Sequence, residues 1–207
     1  MRKIALFLLI SLMTIHLDAR GVEIGRRDRF ASQPKQLTGS IEKLYLLPEF
    51  HTLIESVQKE GRVRVTYEFI YDGDFDGFWD SSSRTIIVNA NRFKSEGKAL
   101  VTILFELHNA KSNQHFKHLV ELAQKGQITK EAYVLAVEKM EYENCLMTCA
   151  LLEKGRALGI FPKDATWNIA KTFEEHYRIQ LRTGHSEWIA KAYDHFNPKS
   201  SHIPFRG

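Results

Sequence analysis

The chain has 207 residues, 43% of them hydrophobic and 26% charged, with a formal net charge of +4. That length supports one core of ordinary size. Five prolines and twelve glycines exclude a collagen-like or Pro/Gly-rich disordered chain, and two cysteines exclude a disulfide scaffold. The positive excess is small and not gathered into a patch, so nucleic acid is not expected as a partner.

Met1-Arg2-Lys3 is a short basic start, Ile4 to Leu12 is almost continuous hydrocarbon, and Leu17 and Ala19 precede Arg20 with the spacing of a cleavage site. This is the layout of a secretory signal peptide over residues 1–19. A membrane anchor would need about 20 apolar residues, and the run is closed by Asp18 and Arg20. The mature chain is therefore expected to be exported, periplasmic or extracellular, with no stable membrane span. Residues 20–39 are polar and aperiodic and read as a flexible leader. A single α+β domain is expected over 40–207, a small antiparallel sheet near its N-terminal end packed on a mostly helical body.

Pro48 suits the first turn of a helix running to about Glu60, with Leu53, Ile54 and Val57 as its apolar stripe. The period then changes to two. Val63, Val65, Tyr67 and Phe69 alternate with polar residues, and Thr85 to Asn89 (TIIVN) reads as a second strand. Phe78 and Trp79 suit a short strand before the Ser81–Ser83 turn. Helices are expected over 97–112, 114–126, 129–154, 164–182 and 186–196. Thr129, Asp164 and Ser186 are placed as their N-caps, with Gly155 and Gly184 as stops.

Within the helix expected over 97–112, Ala99 to Leu107 is apolar on every side and Glu106 lies in its middle. A buried carboxylate needs a cation, a metal, hydrogen bonds or a proton. The order of elements here, a small strand pair with TIIVN as its second strand and then a long apolar helix, resembles the core of zincin-type metallopeptidases. Their helix carries LxHExxHA, in which two histidines one turn apart bind zinc and the glutamate acts as general base. Aligned on that motif, Glu106 and Ala110 are kept, while Phe105 and Asn109 replace the two histidines, giving FExxN. His108 is out of register by one residue, about 100° around the helix.

The resemblance spans roughly residues 45–155 and implies a zincin-like scaffold. It makes Glu106 the catalytic candidate, Asn109, Glu138 and Glu141 the pocket, and Glu141 or Glu138 the match to the downstream glutamate ligand. Phenylalanine has no donor atom and asparagine is a poor zinc ligand. The expected function is thus a non-catalytic, zincin-like binding module that takes a peptide or protein through a remnant pocket. The alternative is a metal-dependent peptidase or hydrolase with an unorthodox ligand set, such as Glu106, Glu141 and a histidine from elsewhere.

Other constellations are weaker. Asp72, Asp74, Asp76 and Asp80, with Gly77, match the first part of an EF-hand loop, but Ser83 stands where its bidentate glutamate belongs. They suit a weak calcium site or an acidic surface loop, and the former makes a calcium-stabilised module a third reading. His115 and His118 share a helix face and read as solvated. Cys145 and Cys149 share a stripe with Glu138 and Glu141 and read chiefly as core residues. Glu174 and Glu175 beside His176 could do acid–base work, although packing explains the surrounding aromatics, and His185, after the stop glycine, suits a cap on the preceding helix end. No cofactor is expected beyond calcium or zinc.

Overall fold

In a computed structural model the described residues are 29–71, 75–198 and 205. The signal segment and the leader up to Asp28 lie outside them. The described residues gather into two compact units, one of those up to Lys111 together with Thr148–Trp167, the other of Ser112–Met147 and those from Asn168 onward.

The first unit holds α1 (Thr38–Leu44), α2 (Pro48–Gln58), strands β1 (Arg64–Glu68), β2 (Gly77–Asp80) and β3 (Thr85–Asn89), and α3 (Glu96–Lys111). The fold class is α+β, as expected, but the three-stranded sheet is mixed rather than wholly antiparallel. Its order is β1-β3-β2, with β2 antiparallel to β3 and β1 parallel to it. The tight turn between β2 and β3 makes an antiparallel hairpin. β1 joins the other edge of β3 only after the chain has crossed over, which sets it parallel. β3 is buried at four of its five residues, in keeping with its central place.

Residues 30–39, expected as part of a flexible leader, belong to the fold. Phe30 and Leu37 are buried, Val65 N–H donates to the Ser32 carbonyl, and Ala31 N–H donates to that of Val63. These two apolar side chains draw the segment into the core. Arg84 adopts a positive φ of 52°, and its guanidinium donates to the carbonyls of Val57 and Gly61 at the end of α2. Every residue of α3 from Ala99 to Ala110 is buried. The helix packs against β2, β3, α1 and α2. Leu100, Ile103, Leu104 and Leu107 are fully buried there, each contributing roughly 1.5–3 kcal/mol.

The second unit is helical, built from α4 (Asn113–Gln124), the first part of α5 (Lys130–Ala157), α6 (Phe173–Thr183) and α7 (His185–Phe196). Leu119, Ala123, Tyr133, Val134, Val137, Ile189, Ala190 and Tyr193 form its core. Thr129 caps α5, its hydroxyl accepting from the Ala132 N–H. Gly155 does not stop α5: a Cβ there would lie 2.2 Å from the Phe161 ring, so the glycine lets that ring approach the helix. Nor does a helix begin at Asp164. α6 starts at Phe173, where the Thr172 hydroxyl accepts from the Glu175 N–H. No helix among the described residues is long and apolar enough to cross a membrane.

Candidate functional site

The residues singled out by the zincin resemblance fall into two groups, one in each unit. In the first unit Asn109 Nδ2 donates to Glu106 Oε2 at 2.9 Å, and both side chains are buried. Phe105 stands edge-on to Trp167 with ring centroids 4.6 Å apart. His108 meets Thr148 Oγ1 at 3.0 Å. Burial pushes the His108 pKa down to about 4, so its imidazole is neutral. This stretch of α3 therefore presents a bonded carboxylate and amide, an aromatic ring and a neutral histidine.

The second group lies in the helical unit. On α5 the buried stripe runs Val134, Val137, Glu138, Glu141, and two of its four members are carboxylates. One turn apart, they project from the same side of the helix. Their partners come from the junction of α6 and α7. Gly184 ends α6 in the left-handed region at φ 85° and also caps α7, so the chain reverses within one residue. That reversal brings His185 and Ser186, the first two residues of α7, to Glu138.

His185 Nδ1 is 3.1 Å from Glu138 Oε1, and Ser186 Oγ donates to the same oxygen at 2.6 Å. The other ring nitrogen, His185 Nε2, faces Glu141 Oε2 at 3.6 Å. His176, on α6, places Nε2 3.5 Å from Glu138 Oε2 and 3.4 Å from the Gln180 side-chain nitrogen. Glu138 Oε2 is buried and makes no hydrogen bond of good geometry. Ligand atoms of Glu138, Glu141 and His185 all lie within 4.8 Å of one another.

The two carboxylates are pushed in opposite directions. Burial acts to raise the Glu138 pKa, but His176, His185 and Ser186 outweigh it and hold the group below the ordinary glutamate range. Burial raises that of Glu141, and the nearby Glu138 charge adds to the rise against the opposing effect of His185. Carboxylates perturbed by burial and by a specific partner occur at functional sites and also in structural ion-pair networks.

The remaining candidates lie elsewhere. Asp72 and Asp74 are outside the described residues. Asp76 faces Arg92 at 3.5 Å, and the Asp80 carboxylate accepts from the Ser82 and Ser83 hydroxyls. His115 and His118 are exposed on α4. Cys145 and Cys149 are not joined in a disulfide, and Cys149 Sγ donates to the Trp167 carbonyl. Neither joins the Glu138–Glu141–His185 group, although Glu141–Cys145–Cys149 has metal-compatible spacing in sequence. The sequence reading kept Glu138 and Glu141 but did not bring His185, Ser186 or His176 to them. The available signal was two buried acids with no cation in step on their own helix, and a Gly-His pair after a capped helix.

No family model, curated protein or solved structure matches the chain.

Proposed function

We propose that this chain is an exported, zincin-like protein that acts by binding and does not cut peptides through α3. The observation that carries this is the buried Asn109–Glu106 hydrogen bond at 2.9 Å, which occupies the carboxylate that a zincin would use as general base. The zincin reaction needs two imidazoles to hold zinc beside that glutamate. Here the first position is Phe105, packed on Trp167, and the second is Asn109. His108 is directed to Thr148 and is held neutral by burial. The basic, apolar start of the sequence supports export, with a peptide or protein as the ligand the scaffold suggests.

The test is hydrolysis of casein by the full chain, with and without a chelator. No turnover above the blank is expected. Chelator-sensitive turnover that disappears in Glu106→Gln would overturn the reading.

A second reading, a metal-dependent hydrolase with an unorthodox ligand set, is favoured by the Glu138–Glu141–His185 group. It predicts turnover that is kept in Glu106→Gln and lost in Glu141→Gln.

A further inference from the structure

We propose that Glu138, Glu141 and His185 form a binding site for a divalent first-row transition ion of the zinc class, with His176 as the additional ligand. This deepens the reading of the protein as one that binds and rests on it, but it concerns the helical unit and uses no residue of α3. Four observations converge.

The first is donor type. Two carboxylates and two imidazoles make a mixed oxygen and nitrogen set, which suits zinc and its neighbours. Calcium takes six to eight oxygens, and magnesium keeps several waters, neither of which this enclosed, imidazole-containing set provides.

The second is spacing. Zinc–nitrogen and zinc–oxygen bonds of about 2.0–2.2 Å at tetrahedral angles set ligand atoms roughly 3.3–3.6 Å apart. His185 Nε2 and Glu141 Oε2 are 3.6 Å apart, and His176 Nε2 and Glu138 Oε2 are 3.5 Å apart. One donor atom of each of the three principal ligands already lies within 4.8 Å of those of the other two.

The third is orientation. Glu138 Oε1 accepts from Ser186 Oγ and lies 3.1 Å from His185 Nδ1. Ser186 thus holds one oxygen of the carboxylate, and ligating carboxylates are commonly held in this way by a hydrogen bond from outside the metal's own ligands. This leaves Oε2, which faces His176, as the ligand oxygen.

The fourth is the state of that ligand oxygen. Glu138 is fully buried, and Oε2 makes no hydrogen bond of good geometry. A buried carboxylate oxygen left so costs free energy that a cation on it would offset.

The experiment uses the full mature chain in a His115→Ala/His118→Ala background, so that the exposed histidine pair on α4 cannot contribute. The protein is stripped with a chelator, dialysed, and titrated with zinc and, separately, with cobalt(II). One zinc per chain is expected, with an affinity in the micromolar range or tighter. The cobalt form should show the intense visible bands of a low-coordinate site. Glu141→Gln and His185→Gln should each weaken zinc binding by at least about tenfold, and Ser186→Ala, which alters only the orienting bond, by less. Calcium and magnesium should not compete.

Absence of zinc binding to the folded wild-type set would overturn the proposal, as would binding that both ligand variants leave unchanged. Should a variant fail to fold, the wild-type cobalt spectrum decides, since a six-coordinate, water-rich pattern would also overturn it. The hydrolysis assay fails separately: zinc bound without casein turnover keeps both readings, and turnover lost only in Glu106→Gln overturns the functional reading while leaving this site untouched.

Discussion

His108 gives a stability difference whose sign and size follow from its burial. Its pKa falls from 6.5 to about 4 because burial penalises the charged imidazole, with the Lys111 charge adding to this. Between those values the unfolded chain binds one more proton than the folded chain. The contribution of His108 to stability is thus fully present above pH 6.5 and is lost as pH falls toward 4, by about 1.4 kcal/mol per pH unit. Over the whole window of 6.5 to about 4 the loss is about 3 kcal/mol, a large part of the 5–15 kcal/mol typical of a domain. The perturbation is His108→Gln, which removes the titration and keeps a group able to bond Thr148. Urea unfolding of both proteins between pH 4 and 8 would be followed by tryptophan fluorescence in a Trp188→Phe background. Trp79 and Trp167, which belong to the same unit as His108, would then supply the signal. Subtracting the curves cancels every other titrating group. The wild type should lose about 3 kcal/mol relative to the variant on going from pH 6.5 to 4. A flat difference would refute the reasoning, because His108 would then take up its proton as easily folded as unfolded.

Gly184→Ala should cost about 1–2 kcal/mol, because no atom obstructs a Cβ there but φ is 85°. A thermal melt reads that loss, and zinc titration of the same variant should show weaker binding, since this residue sets His185 in place. Gly155→Ala should cost more, about 1–3 kcal/mol, because the added carbon would meet the Phe161 ring at 2.2 Å. Pairing it with Phe161→Leu should recover part of the loss in urea unfolding. Lys130 Nζ lies 2.7 Å from Asp194 Oδ1 with its own side chain only 4% exposed, so Asp194→Asn should cost about 3 kcal/mol by taking the carboxylate charge from a buried ammonium. On the same α7, Lys191→Ala breaks a pair that is mostly in solvent and should change stability by no more than about 0.5 kcal/mol.

Elements whose signals are local were legible in the sequence. The alternation at Val63–Phe69, the TIIVN strand, Pro48 at the start of α2 and the apolar length of α3 all announce themselves within a dozen residues. What could not be read depends on contacts distant in sequence. Gly155 looks like a helix stop until Phe161 is seen against it. The residues 164–172 have a helical apolar spacing, yet Trp167 leaves that stripe to meet Phe105, and the cap falls at Thr172. The parallel pairing of β1 with β3 is a matter of which edge the returning chain reaches, which periodicity does not encode. For the site, Glu138 and Glu141 could be found as acids on a buried stripe. Two of their partners, His185 and Ser186, lie more than 40 residues downstream, delivered by one glycine in the left-handed region. Gly184 reads as a stop and Ser186 as the next N-cap, and neither says which face of α5 the second helix meets.

The Glu138 group also allows its structural contribution to be separated from its binding role. Removing one member, as in Glu138→Leu, leaves His185, Ser186 and His176 buried without their shared acceptor, and should cost about 3–5 kcal/mol. Removing the set together, as in Glu138→Leu/Glu141→Leu/His185→Leu/Ser186→Ala, deletes the polar groups along with their desolvation cost. Apolar replacement of buried ionic groups is commonly neutral or stabilising by about 1–4 kcal/mol. The fourfold variant should therefore be more stable than Glu138→Leu in urea unfolding, and close to the wild type stripped of metal. Such a result would mean that the core of the helical unit does not need these four side chains to fold, and that their cost is offset only when something is bound. A fourfold variant less stable than the single one would refute this, and would make the group a structural clamp in which His185 ties two acids of α5 to the start of α7.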